Sequence, residues 1–244
     1  MRSLLILPAM LILSTAHAQV GMELVPNGGF EGLDGRVRTW DQLRVAKGWD
    51  NVTLGLSEVF DRSAPAKSVG IPDNDYGKIE PKEGEHYAGF FAWKDDGTYN
   101  AYQEGQQDIA EAWNVYAEYL QCELKIALDE GHTYEFTMYV SLAGNSDRAV
   151  SGVGAYCSPV PLHFTNRRFL QEKCQVCSDK ILNTKNEWIE VKGEFVADGG
   201  EAYLIIGTFP YAGFDTEKRV DGYDNQYAYY YVDGISLKEI VPED

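Results

Sequence analysis

His132-Thr133-Tyr134-Glu135-Phe136-Thr137-Met138-Tyr139-Val140-Ser141-Leu142 places Tyr134, Phe136, Met138, Val140 and Leu142 on one face. Glu135, Thr137 and Ser141 fall on the other, and a period of two is that of a half-buried strand. The same pattern extends outward from this stretch. Upstream, Leu124, Ile126 and Leu128 alternate, which puts Cys122 on the same inward face. Downstream, Ile189, Val191 and Phe195 form an inward set opposed by Glu190, Lys192 and Glu194. The runs Tyr203–Phe209 and Tyr229–Leu237 are rich in aromatic and β-branched residues, which fit a pleated surface. Turn chemistry separates the runs at Glu130-Gly131, Gly144-Asn145 and Asp198-Gly199-Gly200. One segment has a helical period: Ile109, Trp113, Ala117 and Leu120 recur at three to four residues after a capping Asp108. The sequence therefore predicts an all-β, antiparallel sandwich with one short inserted helix. A parallel α/β fold would need helices alternating with the strands.

The first eighteen residues predict a leader. Arg2 supplies the positive start, Leu4 through Leu13 form a short apolar run, and Ala16-His17-Ala18 has the small-x-small cleavage pattern. That run is too short to span a bilayer, and nothing later is apolar enough to do so. The expected organisation is a signal peptide over 1–18 and one domain over 19–244, exported to the periplasm, cell surface or exterior. The net charge of -17 disfavours nucleic acid, whose binding begins with phosphate neutralisation by Lys and Arg.

Cys122, Cys157, Cys174 and Cys177 are an even count, which in an oxidising compartment points to disulfides. Cys174-Gln175-Val176-Cys177 also has the spacing of a redox or zinc pair, but no second such pair and no βαβ pattern accompany it. Free thiols are the alternative to bridging, and two pairings are open. Cys122 and Cys157 can bridge the core while Cys174 and Cys177 close a local loop, or Cys157 can bridge to that loop. Bridged Cα atoms must lie within about 7 Å.

The two ends of the domain carry a resemblance. Leu24-Val25-Pro26-Asn27-Gly28-Gly29-Phe30-Glu31 and Ala46-Lys47-Gly48-Trp49 stand near the start. Tyr229-Tyr230-Tyr231-Val232-Asp233-Gly234-Ile235-Ser236-Leu237 stands near the finish. This pairing resembles the carbohydrate-binding-module-like, or galactose-binding-like, jelly rolls. The resemblance implies that the first and last strands lie side by side, with a structural calcium ion between them. A closer resemblance, from Pro26 to Leu237, is to the exported N-terminal domains of Bacteroidetes OmpA-type envelope proteins. It rests on Gly70-Ile71-Pro72-Asp73-Asn74-Asp75-Tyr76-Gly77, Gly84-Glu85-His86-Tyr87-Ala88-Gly89, Phe136–Ala143, Gly152–Tyr156 and Gly193–Leu204. No OmpA-like domain follows within the sequence, so peptidoglycan anchoring is not carried over. Gly234 stands where the family has a second Asp, which removes one carboxylate from the expected ion site.

Calcium takes six to eight oxygens, mixing carboxylates with carbonyls. Glu31 and Asp233 would supply two carboxylates if the terminal strands pair, the Gly29 carbonyl a third ligand, and Glu85 a weaker fourth. Catalysis has little to build on. His86, His132 and His163 form no H-E-x-x-H arrangement, and neither a nucleophile elbow nor a phosphate loop is present. Asp95-Asp96 reads as a solvated loop. The expected function is non-catalytic binding of a glycan or cell-envelope component, with a protein partner as the rival. Sugar C–H faces stack on aromatic rings, so Trp93, Tyr99 and Tyr102 form one candidate platform. Tyr211, Phe214, Tyr223 and Tyr227 form a second, in a Gly-rich region before the last strand.

Overall fold

The computed structural model describes residues 19–95, 115–210, 215–218 and 226–241. Residues 1–18, read above as a leader, lie outside them. In chain order the strands are β1 Gln19–Glu23, β2 Trp49–Asn51, β3 Glu58–Asp61, β4 Asp73–Asn74, β5 Gly77–Lys78, β6 His86–Asp95, β7 Val115–Tyr116 and β8 Leu120–Glu123. They continue with β9 Thr133–Leu142, β10 Arg148–Val150, β11 Val153–Ser158, β12 Val176–Cys177, β13 Ile189–Val196, β14 Tyr203–Thr208, β15 Thr216–Lys218 and β16 Tyr227–Val241.

Two sheets face each other. The first runs β13-β9-β16-β6-β3, with β1 added beside β16 and β7 beside β6. The second runs β12-β11-β14-β8-β2. From β8 onward the long strands take turns: β8, β11 and β14 in the second sheet, β9, β13 and β16 in the first. All ladders between named strands are antiparallel, giving a jelly-roll sandwich.

The alternation that predicted β9 is the alternation observed. Tyr134, Phe136, Met138, Val140 and Leu142 are all buried, and Val140 lies opposite Ile189 on one side and Val232 on the other. From the second sheet, Trp49, Cys122, Leu204 and Cys157 form one continuous inward row. These residues share a single core with the inward face of β9. Each such large side chain contributes roughly 1.5–3 kcal/mol on burial.

Both outer faces are also covered. On the first sheet, Phe60, Tyr87, Phe91, Tyr229 and Tyr231 point away from the main core yet are buried. The segment bearing the β4–β5 hairpin lies over them, contributing buried Val69, Ile71, Tyr76 and Ile79. On the second sheet, Gln121, Ile205 and Tyr156 form an outward row. Leu162, Phe169 and Leu170 pack there into a separate cluster with Ile205, Tyr119 and Phe209. The Gln121 amide holds this strap by both ends, donating to the Leu162 carbonyl at 2.8 Å and accepting from its N–H at 3.0 Å.

Three sequence expectations are corrected. The described part of the expected helix is extended, in β7 and β8, and the only helix among the described residues is a 3-10 turn at Leu43–Val45. Ala117 belongs to the strap cluster and Leu120 to the main core. Their spacing therefore reflects two faces of an extended chain and not one face of a helix; Ile109 and Trp113 lie outside the described residues. Ile126 is 51% exposed, because β8 ends at Glu123. Lastly, Cys122 and Cys157 are unbridged and buried, while Cys174 and Cys177 form the local disulfide with Cα atoms 6.1 Å apart.

Candidate functional site

Phe91, on β6, is the hub of an aromatic cluster at one end of the first sheet. Its ring meets Tyr227 of β16 edge-on at 5.3 Å, Tyr116 of β7 at 5.6 Å and Tyr229 at 4.9 Å. Phe91 and Tyr229 are buried, whereas Tyr116 and Tyr227 are half-buried at the rim. Cations lie on these rings. Lys94 Nζ stands 5.1 Å from the Phe91 centroid and 5.7 Å from that of Tyr116, and the Arg167 guanidinium lies 4.9 Å over Tyr116.

Trp93 is half-buried on the same strand, under the Arg148 guanidinium at 5.9 Å. Arg148 pairs with Asp147, whose other oxygen accepts the Tyr227 N–H at 3.0 Å. Two predicted platform residues, Trp93 and Tyr227, thus lie at adjoining strand ends but on opposite faces, since Tyr227 stands opposite Lys94 and Trp93 opposite Ala228. Tyr99, Tyr102, Tyr211, Phe214 and Tyr223 lie outside the described residues.

Beneath the rim lie two carboxylates that sequence reasoning missed. Glu58 accepts the hydroxyls of Tyr229 at 2.6 Å and Tyr76 at 3.0 Å. Glu118 accepts the Tyr116 hydroxyl at 2.5 Å and the Phe91 N–H at 2.9 Å. Both are about 1% exposed. Burial pushes Glu58 up to about 8, against the pull of its two tyrosine bonds. Burial, and next the charge of Glu58, holds Glu118 well above the usual carboxylate range. A signal was present in Tyr116-Ala117-Glu118-Tyr119: an acid between aromatics that are themselves packed.

The terminal motifs converge as expected. β1 pairs with β16, and the Ile235 N–H donates to the Gly28 carbonyl at 3.0 Å. Asn27 ties the turn together, and its carbonyl accepts the buried Trp49 indole at 2.8 Å. Glu31 and Asp233 are then held by one loop. Glu31 accepts the N–H groups of Glu85 and His86 at 2.9 and 3.0 Å, and Asp233 those of Lys82 and Glu83 at 2.8 and 3.2 Å. Gly84 allows this, since its φ is +62° and a Cβ there would sit 2.1 Å from Glu31 Oε1. His86 faces carboxylate oxygens with both ring nitrogens, Glu31 at 3.2 Å and Asp61 at 3.1 Å. The Glu85 carboxylate instead pairs with Arg62 at 2.8 Å, so that residue reaches Glu31 through its backbone.

Beside Gly29 three acids gather: a Cβ built there would lie 3.2 Å from Glu83 Oε1, 3.8 Å from Glu31 Cγ and 3.9 Å from Asp233 Oδ1. Asp233 is fully buried, and burial, with Glu83 as a like-charged neighbour, pushes its carboxyl up to about 7. Carboxylate oxygens are calcium's donor chemistry, but Glu31 already faces the His86 ring and Asp233 accepts three backbone N–H groups. Among the described residues, however, no three His, Cys, Asp or Glu side chains are arranged as a finished metal set.

Comparison with known proteins gives no matching family model and no matching curated protein. Among solved structures, the chain is similar to the CBM22-1 xylan-binding domain of Paenibacillus barcinonensis Xyn10C, at 12% identity and TM-score 0.45, covering 94% of this chain and 100% of that one. It is similar also to the K1 cleaved adhesin domain of Lys-gingipain from Porphyromonas gingivalis W83, at 14% identity and TM-score 0.38, covering 94% and 100%. A third is the N-terminal cellulose-binding domain of Cellulomonas fimi β-1,4-glucanase C, at 12% identity and TM-score 0.36, covering 80% and 91%. At these levels the functional reading rests on the chain's own residues.

Proposed function

We propose that this chain is an exported, non-catalytic carbohydrate-binding module that takes its ligand where β6, β7 and β16 end together. The observation that carries the reading is the rim itself. Tyr116 and Tyr227 are half-buried on one face with Lys94 beside them, and Trp93 is half-buried on the other face under Arg148, so each ring is held in place yet accessible on one side. Fixed rings offer stacking area at little entropic cost, and charged neighbours supply partners for sugar hydroxyls. Export is supported by the leader pattern and by the Cys174–Cys177 bridge.

A glycan array followed by affinity electrophoresis tests this. Trp93→Ala and Tyr227→Ala should each weaken binding about tenfold or more, the loss of roughly one stacking contact, without moving the melting temperature by more than a few degrees. Binding to no glycan by the folded wild type would reject the reading and leave a protein-interaction role in the cell envelope.

A structural calcium ion is the second element of the proposal, supported by Glu83 joining Glu31 and Asp233 beside the Gly29 backbone. Calcium added to chelator-treated protein should raise the melting temperature, and Asp233→Asn should abolish the rise. No shift at millimolar calcium removes the ion from the reading.

A further inference from the structure

Glu58 and Glu118 are the two most deeply buried acids facing the aromatic layer, and both come from chain paired to the edge of β6 that faces away from β16. Glu58 is carried by β3, the edge strand of the first sheet. Glu118 lies on the link between β7 and β8, fixed by reciprocal bonds to Phe91: its N–H donates to the Phe91 carbonyl at 2.9 Å and its carboxylate accepts the Phe91 N–H. The hydrogen bonds to the two carboxylates come from neutral donors, namely three tyrosine hydroxyls and the backbone N–H groups of Phe91 and of Glu58 itself. Among the described residues neither acid has a Lys, Arg or His at ion-pair distance. The charged groups that face the pair are Asp41, which opposes ionisation of both, and Arg167 and Lys94, which lie on the outer side of the Tyr116 ring.

Tight packing fixes this arrangement. A Cβ on Gly89 would fall 2.4 Å from the Tyr229 hydroxyl, and one on Gly55 would fall 2.8 Å from Glu118 Cγ. Two uncompensated charges so placed would cost several kcal/mol each. One or both acids must therefore keep a proton.

Tyr76 makes that proton consequential. It rides between β4 and β5, its ring stacks on Tyr229 at 3.8 Å, and its hydroxyl reaches Glu58. The hairpin that covers the aromatic face is thus fastened to the acid pair.

We propose that Glu58 and Glu118 form a proton-operated latch that keeps the β4–β5 hairpin seated over Phe60, Tyr87, Phe91, Tyr229 and Tyr231 while the pair is protonated, and releases it when the pair ionises. The sign follows from the raised carboxyls. Stabilisation is fully present below the ordinary glutamate value of 4.5 and is lost as pH rises through about 8. Release of one proton on opening makes the opening equilibrium rise about tenfold per pH unit between those two values.

Hydrogen exchange of the full chain, read at the amides of residues 73–79 and corrected for intrinsic rate, measures that equilibrium. Protection should fall about tenfold per pH unit from about pH 5 to about 8 and level off above it, while amides in the centre of β9 stay protected. Infrared spectra of the same wild-type protein at neutral pH should show a protonated-carboxyl band that vanishes at alkaline pH. Glu58→Gln should remove both the band shift and the pH dependence of hairpin opening. A hairpin whose corrected protection is flat from about pH 5 to about 8, or a neutral-pH spectrum with no protonated carboxyl, overturns the latch, and both can be read on wild type even if the variant fails to fold.

Discussion

Cys122 and Cys157 each lie directly opposite Leu204, one strand to either side of it, in the inward row of the second sheet. Two strand spacings separate their Cα atoms by roughly 9–10 Å, beyond the reach of a disulfide. Their thiols should therefore stay reduced even in an oxidising compartment. Alkylation of native protein should label neither, and denaturation without reductant should expose two labelled sites; burial also pushes both thiols above their ordinary range, which slows the reaction further. A mapped Cys122–Cys157 bridge would contradict the register.

Acidity should stabilise this protein. Asp233 is raised from 3.8 to about 7, so its protonated form is favoured on folding. That contribution is complete below pH about 4 and gone once pH passes about 7. In calcium-free buffer the melting temperature should fall as pH rises from mildly acidic to neutral. Asp233→Asn should make that part of the curve shallower in thermal scans, the remaining slope up to about pH 8 belonging to Glu58.

Gly89 is required by a neighbour's side chain. Gly89→Ala would place a methyl 2.4 Å from the Tyr229 hydroxyl and force the ring off Glu58. Overpacking of this sort costs about 1–3 kcal/mol, measurable by urea denaturation. Tyr229→Phe keeps the ring and deletes only the bond, so it should cost less than the alanine variant.

The strap on the second sheet is fastened through Gln121. Gln121→Ala leaves the Leu162 N–H and carbonyl without their partners, at a cost of roughly 1–3 kcal/mol. Limited proteolysis should then cut faster within residues 159–170, with the β9 region unaffected.

How much of this was legible in the sequence depends on how many layers a residue answers to. β9 and β13 each bury one face against the main core, so period two described them, down to the opposed Glu190, Lys192 and Glu194. Glu58 sits next to inward Val59 and so reads as a solvent position. It became interior only because a hairpin from later in the chain covers that face, and alternation carries no information about a third layer. Ala117 and Leu120 misled for a related reason, since both faces of their strand segment are covered and apolar residues recur at every spacing. The N-terminal motif and the last strand were paired correctly from the resemblance. The loop of backbone N–H donors that holds Glu31 and Asp233 was not foreseen, because the Gly84 turn acts through its backbone and leaves no side-chain pattern.

The position of β16 governs the order in which the fold can be made. It runs through the middle of the first sheet, between β9 and β6, although it is the last described strand in the chain. Until residues 227–241 are available, β9 and β6 have no common neighbour, the Tyr229 and Tyr231 rings are missing from the aromatic layer, and the loop at Lys82–His86 has only one of its two carboxylates. Closure must therefore wait for pairings more than 130 residues apart along the chain, as between Phe91 and Tyr229. Such high contact order makes folding slow, so a growing chain stays open at least until residues 227–241 have been made.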